Sequence, residues 1–314
     1  MEYEGQICRP PMERSSFMLG VAVGCAYNRC TFCTLFKHLT YRELPLSQIE
    51  DELRRVHDLG GAPRSIFLGD GNAFGMIMPR LMAILSMIRK YFPGCEMVNM
   101  DATVTDIRKK SDDELRQLRD AGVRRLYLGI ESGLDDVLEF IQKDHNKQQA
   151  EDQILRLREA GLSYNAHMMT GIAGAQRGEE NALQLAEFFN RTMPERIINF
   201  SIFLHTKAPL YRCIENGTFT PASELENLRE ARILLQNLTI PCQFDGFHDA
   251  IEVRVRGELP RDREKLLRKL DDSIALWSTR DPVYCIVPDM PPYPSLRDQK
   301  MISDSGCHRA EHSA

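Results

Sequence analysis

Six apolar runs recur in the first two thirds of the chain, at residues 17–24, 65–69, 96–103, 125–131, 163–170 and 197–204, with helical patterns between them. Leu46, Ile49, Leu53 and Val56 share one helical face, as do Leu81, Ile84, Leu85 and Ile88. Ser111 and Glu114 are spaced as a capping box ahead of Leu115 and Leu118. Helices close on Gly60-Gly61, Gly122 and Gly161, where a left-handed cap ends a helix without steric cost. After the first interval the runs restart roughly every 30–40 residues, the length of one strand–helix unit. Such alternation dictates a parallel sheet. Six units are fewer than the eight of a closed barrel. The expected fold class is therefore α/β, with a parallel sheet, either barrel or doubly wound, over residues 15–212 and a C-terminal α/β extension.

The remainder reads differently. Residues 1–14 form an N-terminal segment. Residues 213–279, with a helix at 220–238, a strand at 251–259 and a helix at 260–277, are expected to cover the barrel mouth. The proline-rich stretch 280–314 reads as an irregular or disordered tail. A net charge of −5 argues against a protein held to DNA by its charge. The first residues lack the basic and apolar regions of a secretory signal, and the apolar stretch 17–27 is too short for a membrane span. A cytoplasmic protein without membrane or DNA partners is expected. Nine cysteines are too few for a disulfide scaffold, and in a reducing compartment clustered thiols bind metal or react.

Three of the nine fall together as Cys25-Ala-Tyr-Asn-Arg-Cys30-Thr-Phe-Cys33, directly after the first run. This C-x4-C-x2-C loop is short enough to wrap three thiolates around one iron–sulfur cluster, leaving one iron open. Its polar residues Asn28, Arg29 and Thr31 argue against three core cysteines. A plant-type ferredoxin needs a fourth cysteine, and the next, Cys95, lies 62 residues on. A zinc site completed by His38 stays open, and with it a non-catalytic iron–sulfur or zinc protein acting as electron carrier or sensor. A second cluster from Cys242, Cys285 and Cys307 has no supporting spacing.

With its triplet after a first strand of repeating strand–helix units, the chain resembles the radical S-adenosylmethionine (SAM) superfamily. It is nearest to members with a HemN/Elp3-like core, and the resemblance implies a partial (β/α)6 TIM-type barrel over residues 15–212. The usual spacing in that superfamily is C-x3-C-x2-C, so one residue is extra here. The resemblance implies an enzyme with a [4Fe–4S] cluster on Cys25, Cys30 and Cys33 and SAM chelating the open iron. It implies reductive cleavage of SAM to a 5′-deoxyadenosyl radical that abstracts hydrogen from a substrate, with electrons from an external one-electron donor such as flavodoxin or ferredoxin. It also implies that Phe32 lies near the adenine and that Gly69-Asp70-Gly71-Asn72 stands where the family holds the SAM ammonium, with Asp70 as the acceptor and Asn72 in support. Glu131 and Ser132 would sit near the SAM ribose or amino acid moiety, and Gly171 near the adenine. Read without the resemblance, the glycine-rich segments are strand-to-helix turns and Ser132 caps a helix.

Strand geometry adds a substrate surface. Residues two apart on a strand share a face. Asn99 with Asp101, Asn165 with His167, and Asn199 with Ser201 and His205 are therefore expected to line a polar lumen. His248, in the polar stretch 245–249, is expected on a loop that either folds over the mouth as a lid or is plain connection. Nothing here separates one substrate class from another.

Overall fold

The computed structural model describes residues 8–288. The strands are β1 (Phe17–Gly24), β2 (Arg42–Glu43), β3 (Ser65–Gly71), β4 (Met97–Ala102), β5 (Val123–Glu131), β6 (Ser163–Thr170), β7 (Arg196–Ser201), β8 (Leu204–His205), β9 (Cys242–His248), β10 (Val253–Leu259) and β11 (Ile286–Val287). The helices are α1 (Leu46–Asp58), α2 (Met78–Tyr91), α3 (Val104–Arg108), α4 (Asp112–Asp120), α5 (Asp135–Phe140), α6 (Lys147–Glu159), α7 (Gly178–Thr192), α8 (Pro209–Glu215), α9 (Glu224–Asn237) and α10 (Arg263–Trp277).

One nine-stranded sheet runs in the order β10-β9-β7-β6-β5-β4-β3-β1-β2. Every pair from β1 to β9 within it is parallel, and β2 and β10 close its two ends antiparallel. It is thus the open barrel expected from the sequence, lengthened by a seventh parallel strand.

The period of two along each strand divides the residues between two environments. Ile66 and Leu68 of β3, Val98 and Met100 of β4, and Leu126 and Leu128 of β5 join the large core against the helices, with Ile49, Leu81 and Leu115 opposite them. The intervening residues face the lumen, whose floor is Phe67, Tyr127, Ile198 and Phe247. The Ser111–Glu114 capping box forms as expected, and equivalent boxes open α6 (Asn146, Gln149) and α9 (Ser223, Glu226).

Three expectations are corrected. Residues 213–279 do not cover the mouth. They add β9 and β10 to the β7 edge, with α9 and α10 packed outside. The stretch 245–249 is mostly strand β9 rather than a lid or loop. Its glycine and acidic residues hide the signal, although a central parallel strand needs only burial on both faces. On β7 the parity is opposite to that expected: Phe200 faces the lumen, while Asn199 and Ser201 are fully buried on the helix side. Within the expected tail, Ile286 and Val287 pair with β8; residues 289–314, with Cys307, lie outside the described residues.

At the C-terminal ends of β1 and β3, after a register shift, Gly24 is the register partner of Gly71. A Cβ on Gly71 would lie 2.2 Å from the Gly24 carbonyl oxygen, so no side chain fits without prising the strands apart. The Gly71→Ala variant is expected to lose about 1–3 kcal/mol of stability, the range for overpacking a closed interior. Equilibrium denaturant unfolding, with an unchanged midpoint counting against the pinch, checks this.

Candidate functional site

Cys25, Cys30 and Cys33 lie in the loop that leaves β1, at the C-terminal end of the parallel strands, where βα-barrel sites form. The loop is irregular but held. Thr31 donates its backbone N–H to the Ile141 carbonyl (3.0 Å) and accepts from the Leu210 N–H (3.0 Å), which fixes it between α5 and α8. The Asn28 side chain donates to the Phe36 carbonyl (2.9 Å), and its backbone N–H donates to Cys25 Sγ (3.4 Å). Tyr27 donates its hydroxyl to the Gln142 carbonyl (2.7 Å).

The three cysteines line one cavity of about 430 Å³. Burial pushes the Cys30 thiol up to about 11, opposed by the Lys143 ammonium, and burial also raises Cys33. Ligation by a cationic centre reverses this, because it requires thiolates and releases their protons. His38, the fourth ligand of a zinc reading, is exposed and outside the cavity lining.

Beside the loop, Phe32, Gly71, Asn72 and Glu131 line the same cavity, so four of the eight expected SAM contacts converge there. Asn72 donates its amide to Asp106, leaving Oδ1 buried with no donor among the described residues. Glu131 has a left-handed backbone (φ +64°) and accepts from Lys143 Nζ at 3.0 Å. A Cβ at Gly129 would lie 2.1 Å from Glu131 Oε1 and 2.7 Å from Lys143 Nζ, so the ends of this pair fold back over β5 into the space a side chain there would take. Desolvation pulls Lys143 down, but Glu131, Cys30 and Asp144 outweigh it and hold the ammonium charged. Burial likewise works against ionised Asp144, yet His145, Lys143 and the Thr105 N–H keep it well below the usual carboxylate range. Lys143 and Asp144 went unseen in sequence: they follow α5 in a polar run that reads as connection.

The other four lie elsewhere. Gly69 and Asp70 belong to β3 below the cavity, with Asp70 buried at φ +64°. Ser132 Oγ donates to Asn181 Oδ1 (2.7 Å) and accepts from the Leu134 N–H (3.2 Å), the helix-start role open to it from sequence. The Gly171 N–H donates to Glu230 Oε2 (2.8 Å), and Glu230 Oε1 accepts from Asn181 (2.6 Å). Ser132 and Gly171 are thus joined through Asn181 and Glu230 behind the cavity.

Asp101, His167 and His205 line the far half of the cavity. Asn99 and Asn165 share the lumen face but lie beneath, against Glu13 and Tyr127. The 3₁₀ turn Pro11–Glu13 inserts Glu13, whose Oε1 accepts from Asn99 Nδ2 (2.9 Å) and the Tyr127 hydroxyl (2.7 Å), while Oε2 accepts from Ser16. Sequence reasoning missed Glu13 because it precedes the first periodic element. His248 is not in the cavity. It is the last residue of β9 and fully buried on the helix side, with Nδ1 2.8 Å from Ser201 Oγ and 3.6 Å from Glu224 Oε2.

Burial, with Glu13 alongside, pushes Asp101 up to about 7, and burial holds His167 neutral, down to about 4.

A model of the family described as "Radical SAM superfamily" matches residues 20–186, more than half of the chain. Among curated proteins, the chain is 23% identical over 195 residues to the heme chaperone HemW of Bacillus subtilis (strain 168), covering 60% of this chain and 51% of HemW. It is 24% identical over 117 residues to a tRNA uridine(34) acetyltransferase of Methanocaldococcus infernus, covering 37% of this chain and 22% of that protein. The chain therefore spans about half the length of the first relative and less of the second. Among solved structures, methylornithine synthase (PylB) aligns with a TM-score of 0.51 at 14% identity, over 90% of this chain and 73% of its own. The M. infernus Elp3 lacking residues 1–46 gives 0.51 at 13% identity, over 85% and 64%. Both likenesses are of fold.

Because native Asp101 holds its proton to about 7 while an unfolded aspartate ionises near 4, the folded state binds the extra proton between these values. That contribution to stability is complete below about pH 4 and lost as pH rises through 7. Asp101→Asn removes it, so the variant should gain in Tm relative to the parent between pH 5 and pH 8. Parallel thermal melts at the two pH values check this; a pH-independent difference would contradict it.

Proposed function

Because the chain belongs to the radical SAM superfamily, we propose that it is an enzyme whose Cys25, Cys30 and Cys33 hold a [4Fe–4S] cluster, with SAM bound beside it in the same cavity. The observation that carries this reading is the convergence of three cysteines, the free acceptor Asn72 Oδ1 and the Glu131–Lys143 pair on one cavity at the strand ends. The donor set fits: three thiols satisfy three irons and leave one for a non-protein ligand. When bound and reduced, the cluster supplies the electron that cleaves SAM to methionine and a 5′-deoxyadenosyl radical, which takes a hydrogen atom from a substrate carbon.

The remaining work falls to the protein's own side chains. Asn72 Oδ1, fixed by its amide bond to Asp106, is an acceptor for the SAM ammonium. Glu131, held by Lys143, accepts from hydroxyl or ammonium donors, and Phe32 offers an apolar face to the adenine. The Asn28 N–H, donating to Cys25 Sγ, stabilises extra negative charge on that sulfur and so favours the reduced cluster. The electron comes from a flavodoxin- or ferredoxin-type donor.

Anaerobic reconstitution with iron and sulfide, then dithionite and SAM, should give a SAM-dependent change in the cluster's electron paramagnetic resonance spectrum and yield 5′-deoxyadenosine. Cys30→Ala should lose both. Asn72→Ala should retain the cluster and weaken SAM binding by about tenfold, the loss of one hydrogen bond to a charged group. A reconstituted cluster that ignores SAM would instead identify a non-catalytic iron–sulfur protein.

A further inference from the structure

The cavity continues beyond the residues assigned to cluster and SAM, and its far half has a distinct chemistry. Asp101 projects into it from β4, and among the described residues no donor reaches its carboxyl. The charged side chain acting on it is Glu13, an acid already saturated by Asn99, Tyr127 and Ser16. The other acids of the cavity are answered: Glu131 by Lys143, and Asp144 by His145 and the Thr105 N–H. Among the described residues no cation acts on Asp101: Arg9, which also lines the cavity, donates to the Ser16 carbonyl (3.3 Å), and Lys143 is taken by Glu131. His167 and His205 are held neutral by burial, and burial keeps Cys8 a neutral thiol. Buried Glu13 and half-buried Asp101, without a counter-ion among the described residues, form a site of negative potential that a cation relieves.

The wall beside Asp101 is aromatic. His167 and Phe200 lie nearly parallel (6°) with centroids 6.0 Å apart, and Phe200 continues into Phe203 (6.1 Å), which meets His205 (6.4 Å). Aromatic faces attract cations and accommodate flat apolar bodies. On the opposite side Pro10 and Pro11 add rigid apolar surface without backbone donors. Acid and rings therefore select the same kind of molecule from two directions.

We propose that this half of the cavity binds the substrate, and that the substrate is a flat, conjugated or aromatic molecule carrying a basic nitrogen, which pairs with Asp101 while its ring lies along His167, Phe200 and Phe203. Asp101 is then the residue that sets specificity for charge, and Phe203 for shape. The inference rests on the proposed function only in taking this space as substrate space.

Three isosteric probes of opposite or no charge, benzamidine, benzamide and benzoate, test it by calorimetry on the cluster-loaded protein with SAM present. Benzamidine should bind at least ten times more tightly than either of the others. Asp101→Asn should bring benzamidine down to the level of benzamide. Phe203→Leu should weaken benzamidine several-fold. Equal binding of the three, preference for benzoate, or a benzamidine preference that survives Asp101→Asn would overturn the proposal. If that variant does not fold, the ranking of the three probes on the unaltered protein decides. Formation of 5′-deoxyadenosine is scored separately in probe-free samples: its absence alongside intact benzamidine selectivity counts against SAM cleavage and supports the cation-binding site.

Discussion

Burial of one face of each parallel strand against the helices is the contact on which the rest of the molecule depends. Ile66, Leu68, Val98, Met100, Leu126 and Leu128 commit alternate positions to that interface. The intervening positions are thereby fixed in the lumen, whatever their chemistry. The apolar floor of Phe67, Tyr127, Ile198 and Phe247 closes the lumen from below, and Asn99 beside it is bonded to Glu13. Removing the outer interface would leave neither the strand ends nor the loops between them in register.

The cavity is built from strand ends and loops in unequal measure. Strand ends deliver Asp101, Glu131 and His167 with little conformational freedom: His167 is paired to both neighbouring strands, and Asp101 and Glu131 each to one. The cysteine loop has no such ladder and relies on contacts with distant helices. Glycine supplies the remaining freedom: Gly71 lets two strands close together, and Gly129 lets a lysine–carboxylate pair cross a strand. At Gly71 the obstacle to a side chain is backbone; at Gly129 it is the ends of the Glu131–Lys143 pair.

Much of this was legible in the sequence. The six runs matched strands to within a few residues because parallel strands buried on both faces are continuous apolar segments bounded by helical patterns. The cysteine triplet stood out through spacing alone. What failed depended on information that spacing does not carry. Strand parity on β7 could not be settled because Asn199 and Ser201 are polar residues on the helix side, where a buried network with Glu224 and His248 satisfies Ser201. Gly171 and Ser132 looked like cofactor contacts because a glycine or serine after a strand serves equally well in a loop clamp. Glu13, Lys143 and Asp144 were invisible because each lies outside any periodic element and acquires its surroundings only through tertiary contact.

The Thr31 tether has a consequence for assembly. Its two partners are Ile141 and Leu210, which lie 110 and 179 residues further along the chain. During synthesis from the N-terminus, all three cysteines therefore emerge long before the backbone that restrains them exists. Until α8 has been made and packed, the triplet is a flexible peptide with accessible thiols. A metal centre bound by this triplet before then would meet a loop still without its Ile141 and Leu210 tethers.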